Sequence, residues 1–178
     1  MSSSLYDTAA GTFTGMLSSL SKLLDKGAEY AATEGWPADR LPNARLVEDM
    51  YPLTKQIQIA CDHAKNAMAR LAGQEPPRVP DEEKTIGELK DRIARTIAFV
   101  EGYSADDFAG AEQRRYVIPL FNDLVLDVDG SQLVRDWHLP HFYFHVVTAY
   151  DILRNAGVVI GKPDFMSHIG EYIRQKAA

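Results

Sequence analysis

The chain has a single cysteine, Cys61, among 178 residues. That excludes an internal disulfide framework and any cysteine-rich zinc site. Such sparing use of cysteine suits a reducing compartment, so a cytoplasmic location is expected. No apolar run approaches the roughly 18–20 residues that a membrane-spanning helix needs, so no membrane partner is expected. The opening residues, MSSSLYDTAAGTF, lack a basic stretch ahead of an apolar block and do not read as a secretory leader. Positive charge is in deficit, with 19 Lys and Arg against 25 Asp and Glu and a net charge of −6. A phosphate backbone is repelled by such a chain unless a basic face is segregated. The densest basic set, between Lys84 and Arg95, alternates with acids, so nucleic acid is not an expected partner. There is no glycine-rich phosphate loop behind a predicted strand, no nucleophile elbow and no internal repeat.

What the chain does have is an ordinary globular balance, 46% hydrophobic and 25% charged residues. Its length suits one domain, taken as residues 1–178. The hydrophobic period is mostly helical. Phe13, Met16, Leu17, Leu20, Leu23 and Leu24 form one stripe of a helix over residues 5–33, which Trp36 and Pro37 end. A second helix spans about 52–71, with Pro52 in its first turn and Gly73 as its stop. Small residues in its stripe, Ala60 and Ala64, suggest close approach of a neighbour or room for a ligand. Residues 74–81 carry three prolines and read as an exposed linker. Thr85 and Glu88 have capping-box spacing and open a third helix. Residues 104–113 read as loop. Residues 116–134 read as a short hairpin or irregular excursion, with Asp129-Gly130 as the turn signal. A fourth helix covers about 140–155 and a short fifth about 165–174. The expected class is all-α, a helical bundle of four long helices.

Five histidines are available for chemistry: His63, His138, His141, His145 and His168. His141 and His145 are four apart, so their Cβ atoms lie about 6 Å from each other on one helix face. Two imidazoles so placed can reach one metal, with Zn–N bonds of about 2.0 Å. His63, beside the buried stripe of the second helix, could supply a third nitrogen across the bundle. Three neutral nitrogens leave a position open for water or substrate. The plainer alternative is that histidines among Phe142, Tyr143 and Phe144 simply pack. Asp49 could orient His63 or cap a helix. Tyr150 and Arg154, four apart, could form a polar pair near the site or at the surface. Cys61 reads as a small buried hydrophobe.

Two blocks make the pattern familiar. Residues 45–52 (RLVEDMYP) with 58–65 (QIACDHAK), and residues 142–154 (FYFHVVTAYDILR) with 157–165 (GVVIGKPDF), resemble an uncharacterised family of the DinB/YfiT-like superfamily, described only as a domain of unknown function. The likeness runs from about residue 5 to 165. It implies a DinB-like four-helix bundle, up-down-down-up, with the excursion before the last bundle helix. It further implies a divalent metal held by His63, His141 and His145, zinc or nickel foremost. Characterised relatives include thiol-dependent transferases and an isomerase that uses a low-molecular-weight thiol, and many such bundles are homodimers. Val146, Val147 and Thr148 depart from the Arg-Gly-Gln often found after the last histidine. Close relatives often carry Asn in place of His141.

Three functions compete at this point. One is a metal-dependent transferase or isomerase acting on a small molecule. Another is a metal-free enzyme in which His63 or His145 is the acid–base group, with Tyr150 or Asp49 as partner. The third is a non-catalytic dimer that binds a small molecule. Retained activity after chelation separates the first two.

Overall fold

The computed structural model describes residues 4–175. Helix α1, Leu5–Thr33, starts at a full capping box. The Ser4 hydroxyl accepts the Asp7 N–H, and the Asp7 carboxylate accepts the Ser4 N–H. Its stripe of Phe13, Leu17, Leu20, Leu23 and Leu24 is fully buried. Helix α2, Leu53–Leu71, begins one residue after Pro52, whose backbone is extended, so that proline caps the helix from outside its first turn. Ala60, Ala64 and Ala67 are completely buried along α2. Their short side chains let it pack closely on its neighbours, chiefly helix α5 described below. Helix α3, Ile86–Glu101, opens on the expected Thr85–Glu88 capping box.

The proline-rich segment 74–81 has no regular structure, but it is tied down. The Lys65 ammonium donates to the Pro77 carbonyl at 2.7 Å, and Arg92 donates to the Pro80 carbonyl at 3.0 Å. Arg92 is 2% exposed and sits among Asp62, Asp81 and Glu83 at 2.9–3.2 Å. A guanidinium buried to this degree needs such partners.

Residues 116–134 resolve into more than an excursion. Strands β1, Arg115–Pro119, and β2, Val125–Asp129, form an antiparallel hairpin in which Arg115 pairs with Asp129 and Pro119 with Val125. Its turn holds Asn122 and Asp123 at φ of 57° and 59°. This corrects the placement of the turn at Asp129-Gly130. There the Asp129 carboxylate accepts the Gln132 N–H at 2.8 Å and starts α4, Gly130–Gln132. Gly130 is obligatory, because a Cβ on it would lie 2.0 Å from the Ala111 carbonyl oxygen. The chain continues through a π-helical stretch, Leu133–His138, directly into α5, Leu139–Asn155.

The short C-terminal helix expected over 165–174 is instead a four-residue α6, Lys162–Phe165, followed by a 3₁₀ turn, Ser167–Tyr172. That turn is docked on α1. The His168 N–H donates to the buried Ser19 hydroxyl at 3.1 Å, and His168 Nδ1 lies 3.1 Å from the same oxygen. The fold is therefore mostly helical with a small two-stranded sheet, rather than strictly all-α. Phe13 of α1 meets Phe142 of α5 edge-on at 5.0 Å in the shared core. Among the described residues, no helix is long and apolar enough to cross a membrane.

Candidate functional site: a four-histidine cluster between α2 and α5

The face of α2 turned toward α5 carries Gln56 and His63, seven residues and two turns apart. The facing stretch carries His138, His141 and His145, at steps of three and four. The result is one cluster. The His63 ring lies face to face with His141, planes 9° apart and centroids 4.6 Å apart. It lies 6.3 Å from the ring of His145. His63 Nδ1 is 3.1 Å from His138 Nδ1. Trp137 covers His141 at 4.4 Å, and Phe144 meets His145 edge-on at 5.2 Å.

Burial keeps the cluster neutral. Desolvation, then the neighbouring His141, His145 and Arg70, pushes His63 down to about 3. Desolvation and His141 push His145 down to about 4. Burial also lowers His141, and it lowers His138 well below the ordinary value, with help from His63, Arg70 and His141. A neutral imidazole carries one N–H and one lone pair, and its neighbours decide which nitrogen has which.

For His145 the decision can be read directly. The Gln56 amide nitrogen donates to the Tyr51 carbonyl at 3.0 Å, which turns its oxygen toward His145. Nδ1 of His145 lies 2.7 Å from that oxygen, so it carries the proton and donates it. The lone pair is left on Nε2. An oriented imidazole of this kind serves equally as a metal ligand or a base.

The other sequence candidates lie elsewhere. Asp49 is exposed in the turn before α2, and no hydrogen bond or ion pair joins it to His63. Gln56 is the side chain that orients a cluster histidine. Tyr150 packs edge-on against Phe165 at 5.7 Å, five residues beyond His145 and turned toward α6. Cys61 is buried with its thiol near Thr96, and desolvation raises it to about 12, so it is no nucleophile.

The donor set suits a borderline divalent ion such as zinc: three neutral imidazoles from two helices. Its present ring geometry does not yet converge. Parallel rings aim their lone pairs side by side, and among the described residues no group of three or more His, Cys, Asp or Glu side chains stands ready to hold a metal. A rotation of His63 or His141 would be needed.

A family model described as "Domain of unknown function (DUF1993)" matches residues 5–166. The chain belongs to the DUF1993 family. A solved structure described as a DinB family member protein from Shewanella denitrificans is 38% identical, covers 91% of each chain and superposes with a TM-score of 0.84. This DUF1993 chain is thus DinB-like, as its two sequence blocks implied. No curated protein matches it.

Proposed function

We propose that this DUF1993 protein is a small-molecule enzyme of transferase or isomerase type, centred on the histidine cluster. In this reading His63, His141 and His145 take up a divalent metal, zinc or nickel, and a low-molecular-weight thiol is the co-substrate. The observation that carries it is the gathering of three neutral imidazoles from α2 and α5, with the His145 lone pair already set by Gln56. A bound divalent ion would supply Lewis acidity, lowering the pKa of a thiol or water near neutral pH. The chain's own contribution is to hold the imidazoles deprotonated and to wall the site with Trp137 and Phe144.

The same reading takes the four long helices as the superfamily's up-down-down-up bundle, and the protein as a cytoplasmic homodimer. Partly exposed Tyr143, Phe144 and Val147 on α5 support a dimer face. The test is metal content by elemental mass spectrometry on wild type and His145→Ala. Near-stoichiometric metal in wild type, lost in the variant, is expected. Absence from both after incubation with zinc and nickel overturns the reading.

A metal-free alternative is favoured by one observation, the bare Nε2 of His145, which is a ready base beside His63. Turnover that survives exhaustive chelation would select it.

A further inference from the structure

His138 lies at the end of the π-helical stretch, 1% exposed, and plays no part in the site as proposed. Two features single it out. Its Nδ1 meets His63 Nδ1 at 3.1 Å, and its Nε2 is a buried nitrogen with no hydrogen-bond partner. Two neutral imidazoles in contact through Nδ1 share one proton between those atoms. If His63 holds it, His138 must carry its own proton on Nε2, as a buried N–H with no acceptor. If His138 holds it, the orphaned atom is a bare ring nitrogen. Orphaned buried N–H groups are the rarer and costlier kind.

We propose that His138 is a tautomer lock: it donates its Nδ1–H to Nδ1 of His63 and thereby keeps the His63 proton on Nε2. His63 then differs from His145, which offers a lone pair at Nε2. The cluster pairs one N–H with one lone pair, which suits a ligand group that both accepts and donates. Ligation of a metal through His63 Nε2 requires the Nε2 proton to leave, the shared proton to cross to His63 Nδ1 and His138 to take a proton at its own Nε2, so that the lock opens. That consequence rests on the metal reading above; the hydrogen bond does not. His138 is a positioning residue, acting through His63.

The test is made on metal-free, ¹⁵N-labelled protein by long-range proton–nitrogen spectra of the imidazoles. The expected result is His63 protonated at Nε2 and bare at Nδ1, with His138 the reverse. The opposite pattern overturns the lock, and this readout needs no variant. His138→Phe keeps a ring in place and removes both nitrogens. Zinc binding, measured by competition with a chromophoric chelator, is expected to tighten about tenfold in it. Loss of zinc binding in a folded His138→Phe protein overturns the proposal by making His138 a ligand. Zinc that perturbs no imidazole in either protein sinks the metal reading, while the wild-type spectrum still decides the lock.

Discussion

Gln56 is the side chain on which the state of His145 depends. Gln56→Leu removes the acceptor for His145 Nδ1–H and the donor to the Tyr51 carbonyl. The expected outcome is loss of a single His145 tautomer in nitrogen spectra. Metal affinity should weaken about 10- to 100-fold, as for other residues that orient ligands. The depressed histidines also set an acid limit. His63 is held at about 3 and His145 at about 4, each from 6.5. Between those values the unfolded metal-free chain binds more protons than the folded one. Their contribution to stability is therefore complete above about pH 6.5 and is lost as pH falls toward 4 and below. Thermal melts at about pH 7 and about pH 4.5 should show a clear drop for wild type and a smaller one for His145→Gln. Equal drops would show that His145 is not buried neutral. That His63, His141 and His145 lie together was legible from spacing and family blocks. His138 was not, although it stands three residues before His141. Pro140 signals a helix start, and a π-helical turn running unbroken into α5 leaves no sequence mark. Gln56 carries a signal in the sequence, its two-turn spacing from His63. Asp49, a candidate to orient His63 or to cap a helix, is left in solvent by its turn.

Among elements, the helices with strong periodicity and caps were the legible ones. The bounds of α1 and the cap of α3 follow from local chemistry that tertiary packing does not override. Asp129-Gly130 misled because aspartate followed by glycine serves two purposes. Here the aspartate caps α4, and the glycine admits the Ala111 carbonyl. Gly130→Ala must therefore move backbone at the root of the π-helical stretch. A cost of about 2 kcal/mol is expected, seen as a fall in Tm of roughly 4–8 °C. An unchanged Tm would mean that the hairpin gives way freely. The segment 74–81 has the composition of a free linker, but the Arg92 cluster makes it a strap. Arg92→Leu strands the buried Glu83 carboxylate, left with Gln58 and a distant Arg95. A loss of about 3 kcal/mol in urea unfolding is expected. A loss under about 1 kcal/mol would assign the cluster to solvent-screened pairs.

At the scale of the molecule, one core joins α1, α2, α3 and α5, and the site lies on a single seam of it, between α2 and α5. The exposed apolar residues of α5, Tyr143, Phe144 and Val147, set the last expectation. Val147→Glu should turn a dimer into a monomer in sedimentation velocity without changing the histidine spectra. A wild-type monomer at all concentrations would remove the dimer. The seam has a further consequence, in time. His63 and His138 are 75 residues apart in sequence, so their contact closes a long loop. Such contacts form late, because chain entropy must be lost before they are made. A nascent chain that has emerged only through α3 holds three of the long helices and one of the four clustered histidines. The histidine contact is thus a clock for the final docking of α5. In refolding experiments, the Nδ1–Nδ1 hydrogen bond should appear with the slowest phase, after helical signal has already returned.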